Sequence, residues 1–143
     1  MSYHLACNLG YRIAGVASVG GSMTPNTYET CSPNQPTAIV HIHGIDDTVV
    51  PIDGNGRSTP LINMMDYWKN YNACDQETIF VLPDLNDDGY GGSLYRYYGC
   101  LNNVDVQLFL MDQIAHDWPT DLNDYDIIAV SYTHLRAHET PTN

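Results

Sequence analysis

Positive charge is scarce in this chain. Five Lys and Arg face 17 Asp and Glu, a net charge of −12 over 143 residues. Phosphate backbones are held by Lys and Arg, so a surface of this sign repels them and no nucleic-acid partner is expected. Long apolar runs are lacking too. Nothing approaches the roughly 18 to 20 consecutive apolar residues that a membrane span requires. The four cysteines, Cys7, Cys31, Cys74 and Cys100, include no CxxC pair, which disfavours a zinc ribbon or a thioredoxin-like dithiol. The first residues, MSYHLACNLG, have neither the basic start nor the apolar stretch of a secretory signal. Repeats and linkers that would mark a second domain are also missing.

What is present is a foldable composition. Hydrophobic residues make up 43% and charged residues 15%, with eleven Tyr against two Phe, whereas a disordered chain would carry fewer apolar groups and more charge. An even set of cysteines suits an oxidising compartment, and on count alone a reduced cytosolic protein fits nearly as well.

Residues 2–10 read as the body of a helix closed by Gly10, with no capping signal before it. Residues 13–19 and 37–43 are short apolar runs ending in glycine, as buried parallel strands would be. Between them, residues 23–36 are rich in Thr, Asn, Ser and Pro and read as loop. Thr59 is placed to cap a helix whose first position is Pro60, with Leu61, Met64, Met65 and Trp68 on one buried face. Residues 78–82 and 104–111 give a third and a fourth strand, and the Gly/Asp/Tyr-rich stretch 84–98 between them looks too polar for core. Strands separated by a helix and long loops predict an α/β layered fold.

Two places offer chemistry. Asp46 and Asp47 follow the apolar strand that ends in His41-Ile42-His43-Gly44, and in open α/β sheets ligands bind at the carboxyl edge of the strands. His116 stands in a loop after the last strand, beside Asp117 and Trp118. A carboxylate and an imidazole from two loops form a pair in which the acid orients the ring and the ring moves protons. Trp118 either lines a pocket beside His116 or sits at the edge of the core.

Three stretches together resemble the poly(3-hydroxybutyrate) depolymerase and feruloyl esterase group of α/β-hydrolases, which are secreted serine esterases. Residues 1–7, MSYHLAC, resemble the helix directly after that family's nucleophile elbow. His41-Ile42-His43-Gly44 through Val49-Val50-Pro51 resembles its acid loop, and His116-Asp117-Trp118-Pro119 its histidine loop. The resemblance covers essentially all of residues 1–129. Residues 130–140, VSYTHLRAHET, are similar to one reading frame of a transposase sequencing adapter, so residues 130–143 are expected to be a non-structural tail. Within it, His134 and His138 would otherwise imitate half a zinc site.

The resemblance implies the C-terminal half of an α/β-hydrolase fold, a mostly parallel sheet flanked by helices and incomplete at its start. It makes Asp47 the catalytic acid, fifth in a His-Gly-x-x-Asp pattern begun at His43, with Asp46 as the fallback, and makes His116 the base. Where the family has Thr, this chain has Asp117, a second carboxylate beside the imidazole in sequence. The nucleophilic serine of a Gly-x-Ser-x-Gly turn would precede Met1. Ser2 lacks the glycine elbow and reads as structural, so the chain by itself should hydrolyse nothing. Further implications are a polymeric or small ester as partner, no cofactor, no metal, secretion, a disulfide between Cys74 and Cys100, and Trp118 in the acyl or aryl pocket. Cys7 is expected as a buried thiol, with a bond to Cys31 as the alternative.

Three rival readings remain open at this point. His41 and His43 share one face of a strand and, with Asp46, Asp47 and His116, would make the ligand set of a metal-dependent hydrolase. Residues 84–89, DLNDDG, match the first half of a calcium loop, but Tyr95 stands where the bidentate Glu belongs. The third is a scaffold that keeps the fold without the chemistry.

Overall fold

The computed structural model describes residues 1–84, 87 and 89–118. The expected tail of residues 130–143, with His134 and His138, lies outside the described residues, as do Pro119 and three positions of the calcium-like segment, Leu85, Asn86 and Asp88.

Helix α1 spans Ser2–Leu9 and β1 Gly15–Val19; α2 is Pro25–Thr30, β2 Ala38–Gly44 and α3 Leu61–Tyr71. Strands β3 Gln76–Leu82, β4 Gly92–Tyr98 and β5 Val106–Met111 follow. The five strands form one sheet in the order β1-β2-β5-β4-β3. β1 with β2 and β2 with β5 run parallel, while β5 with β4 and β4 with β3 run antiparallel. The architecture is mixed α/β. The expectation of a mostly parallel sheet is corrected to an even division, because β4 lies in the stretch that looked too polar for core. Tyr95 and Tyr97 pack against the main core, and Leu94 joins the cluster on the opposite face. Tyrosine and leucine at alternating positions suit a pleated, half-buried surface, whatever polar residues flank them.

The main core lies on one face of the sheet. Leu61, Met64, Met65 and Trp68 of α3 are buried there with Tyr3 and Ala6 of α1, Ile39 of β2, and Val106 and Leu108 of β5. Alternation along the strands sends Phe109 and Met111 to the other face, with Leu82, Leu94 and Ile114. Helix α3 begins one residue later than the Thr59 cap predicts. Pro60 takes the N-cap position, and the Leu61 amide donates to the Ile52 carbonyl, so the connection before the helix satisfies its first turn. At its other end the buried Asn72 accepts from the Thr37 amide (3.1 Å) and donates to the Thr37 carbonyl (2.8 Å). That pair of bonds fixes the helix end to the start of β2.

Residues 23–36 are not loop throughout. Thr24 accepts from the Thr27 amide and Pro25 occupies the first turn, which starts α2. The short helix returns Cys31 to α1, where it is bonded to Cys7. Cys7 is thus a disulfide cysteine rather than a buried thiol, and the alternative pairing is the one formed. The Cys74–Cys100 bond is present as expected. Two disulfides fit an oxidising compartment. Among the described residues no helix is long and apolar enough to cross a membrane.

Candidate active site

Because β1, β2 and β5 are parallel neighbours, their carboxyl ends share one edge of the sheet. Gly20 follows β1, Gly44 ends β2 with Asp47 shortly beyond, and His116 comes after β5. Two glycines let these segments close on one another. A Cβ on Gly44 would collide with the carbonyl oxygens of Ile114 and Ala115. Its absence allows Ile45 to donate to Met111 and Asp46 to Ile114 through their amides, which lays the acid loop against the histidine loop. Gly20 has φ +59°, and a Cβ there would stand 3.4 Å from His116 Nδ1 and 3.7 Å from Asp47 Oδ2.

At this junction Asp47 and His116 meet. His116 Nδ1 lies 2.8 Å from Asp47 Oδ2. The other carboxylate oxygen accepts from the amides of Val49 (2.9 Å) and Val50 (2.8 Å), an Asx-type turn that the Asp makes with its own loop. Asp47 is 3% exposed. Burial by itself would raise its pKa, but the Val50 amide, the His116 ring and the Val49 amide outweigh it and hold the carboxyl below its ordinary range. The His116 side chain is 43% exposed, so its ring is anchored at Nδ1 and open to solvent elsewhere. Asp46, the fallback acid, is exposed.

His41 and His43 do share a face of β2. Their rings stack with centroids 5.1 Å apart, and His41 Nε2 lies 2.9 Å from His43 Nδ1. His41 Nδ1 is engaged by the Tyr3 hydroxyl at 2.5 Å. Both His41 nitrogens are thereby occupied, and His43 Nε2 is taken up by the Val50 carbonyl oxygen at 2.8 Å, beside Asp47 Oδ2 at 3.3 Å. Among the described residues no group of three His, Cys, Asp or Glu is arranged to hold a metal ion. In the calcium-like segment, Asp84 accepts from the Gly89 amide.

Trp118 is 61% exposed and its amide donates to Asp117 Oδ1; it does not lie at the core edge. A cleft of about 590 Å³ runs along the acid loop, bordered by Ser22, Val49, Val50, Arg57 and Ser58. Neither the family models nor the curated proteins searched with this chain give a match.

Sequence reading placed Asp47 and His116 but missed what holds them, namely Gly20, the Val49 and Val50 amides, and the line of Tyr3, His41 and His43. The i, i+2 histidines are the visible signal for that line: inside an apolar strand they read as satisfied core or site-edge histidines more readily than as metal ligands, but the pattern does not say what they hold.

The buried histidine makes the fold acid-sensitive. Burial, with the nearby His43 adding to it, pushes the His41 pKa from its ordinary 6.5 down to about 3. Between those values the unfolded chain binds a proton there that the native chain refuses, so stability rises with pH across the window and is lost on acidification. Asp47, with its depressed pKa, adds a loss of the same sign as pH falls below the ordinary carboxylate range. Urea midpoints measured from pH 7 to pH 4 should fall steadily, and His41→Gln should flatten the slope. An unchanged slope in the variant would place the acid sensitivity elsewhere.

Proposed function

We propose that this chain carries two members of a serine-esterase proton relay, Asp47 and His116, on the C-terminal half of an α/β-hydrolase fold. The observation that supports the reading is the 2.8 Å contact between Asp47 Oδ2 and His116 Nδ1 at the edge where the parallel strands end. The carboxylate oxygens divide the work: Oδ1 is held by two amides and Oδ2 faces the ring. An ionised Asp47 accepts from Nδ1–H, which leaves Nε2 as the basic nitrogen.

In the intact secreted enzyme the nucleophilic serine precedes Met1. His116 Nε2 takes the serine proton as the hydroxyl attacks an ester carbonyl, and Asp47 stabilises the imidazolium that forms. The ring then gives the proton to the departing alcohol, and water releases the acyl group by the same route in reverse. The substrate is a carboxylic ester, either a polyester or a feruloylated or acetylated polysaccharide. Trp118 is near enough in sequence to His116 and exposed enough to cover the acyl or aryl group, and the cleft along the acid loop gives the substrate room.

The test is to recover the coding sequence ahead of Met1 and assay the extended protein on soluble aryl esters and polymer films. A Gly-x-Ser-x-Gly immediately before Met1, with ester hydrolysis by the extended protein, is the expected result. Any other residue in the serine place, or an extended protein without esterase activity, overturns the proposal.

A further inference from the structure

Three buried side chains take no part in that relay. Tyr3, His41 and His43 are 2%, 0% and 2% exposed, and they form one continuous line of hydrogen bonds. The Tyr3 hydroxyl meets His41 Nδ1 at 2.5 Å, His41 Nε2 meets His43 Nδ1 at 2.9 Å, and His43 Nε2 meets the Val50 carbonyl oxygen at 2.8 Å.

The last acceptor fixes the direction of the others. A carbonyl oxygen only accepts, so His43 Nε2 carries a hydrogen. A neutral imidazole has one N–H, so His43 Nδ1 is a lone pair and His41 Nε2 donates to it. His41 Nδ1 is then a lone pair as well, and the Tyr3 hydroxyl donates to it. Every polar atom of the line is paired and no charge is buried. Burial raises the Tyr3 pKa, against a hydrogen bond to Ser18 that lowers it, so the phenol keeps the proton it donates. In the opposite tautomer, the His43 Nε2 lone pair would face the Val50 oxygen and the Asp47 carboxylate. Both are acceptors, and a buried unpaired acceptor is costly.

The line ends on the support of the acid. Val50, whose carbonyl His43 holds, is the residue whose amide donates to Asp47 Oδ1. His43 Nε2 also stands 3.3 Å from Asp47 Oδ2, the oxygen that faces His116. We propose that His43 is a positioning residue for Asp47: its Nε2–H pins Val50 and borders Oδ2, and Tyr3 with His41 holds it in the tautomer this requires. The carboxylate therefore cannot turn from His116 without breaking contacts that are locked from the core. What the fixed carboxylate does chemically rests on the esterase reading. Its being fixed does not, so the test uses no ester.

Long-range ¹H–¹⁵N correlation on the labelled chain reads which imidazole nitrogens are protonated. His41 and His43 should both be neutral with the proton on Nε2, and His116 should show an Nδ1–H resonance shifted far downfield by Asp47. Two substitutions then separate positioning from packing. The amide nitrogen of Gln reaches the place of Nε2, whereas Asn reaches only the place of Nδ1. His43→Gln should keep the downfield His116 resonance and His43→Asn should lose it to exchange with water. A proton on His43 Nδ1, alone or together with Nε2, overturns the proposal on the unaltered chain, even if a variant fails to fold. So does a resonance that survives in His43→Asn, or one lost equally in both variants.

Discussion

If the proposed esterase relay operates, Asp47→Asn should leave the fold in place and lower kcat for ester hydrolysis by the upstream-extended protein about 10⁴-fold, near 5.4 kcal/mol of transition-state stabilisation. The size follows from which way the new amide must face. The Val49 and Val50 amides both donate to Oδ1, so an Asn must put its carbonyl oxygen there and its NH2 toward His116. That NH2 can only donate, which makes His116 Nδ1 an acceptor and moves the ring proton to Nε2. The nitrogen meant to take the serine proton is then already protonated. Asp46→Asn, at an exposed position, should leave kcat unchanged. Turnover at saturating soluble ester measures both, and a loss of less than tenfold for Asp47→Asn would remove Asp47 from the relay.

Much of the sheet and the acid–imidazole pair can be read from the chain; their supports cannot. Strands β1, β2, β3 and β5 are apolar runs or alternations that local pattern announces, and α3 declares itself by the spacing of Leu61, Met64, Met65 and Trp68. Strand β4 does not, because tyrosines beside glycine and arginine look polar in a window while Tyr97 is buried. Arg96, next to it, is neutralised by Asp105 at 2.6 Å, a partner across the intervening turn whose pairing residue composition alone does not reveal. The Asp47 and His116 pairing needs chain segments far apart in sequence, and only the order of the parallel strands puts them on one edge. Gly44 was visible as a strand stop; its second purpose, letting the Ile114 backbone pass close by, exists only in three dimensions. The Cys7–Cys31 bond was hidden for a related reason. It depends on the turn of α2, started by Thr24 and Pro25 within a stretch whose composition reads as loop.

Reduction should cost this fold most of its stability. The Cys7–Cys31 and Cys74–Cys100 bridges have sequence separations of 24 and 26, and closing a loop of that size is worth about 3.5 kcal/mol in the chain-entropy account. The two loops do not overlap in sequence, so their contributions add to about 7 kcal/mol. A domain has roughly 5–15 kcal/mol in total, so losing both bridges removes from about half of it to all of it. The bridges should differ locally. Helix α2 buries none of its own residues, so in Cys7→Ser/Cys31→Ser the amides around Thr24 to Thr30 should lose exchange protection first. Cys74 and Cys100 join the end of α3 to the turn between β4 and β5, so Cys74→Ser/Cys100→Ser should fail as one cooperative unit. Urea unfolding of the oxidised chain, each pair of substitutions and the fully reduced chain gives the comparison. Equal midpoints with and without reductant, once free thiols are confirmed, would contradict it. A fold that leans on both bridges has its full stability only where thiols stay oxidised, and this ties the geometry at Asp47 and His116 to an oxidising compartment.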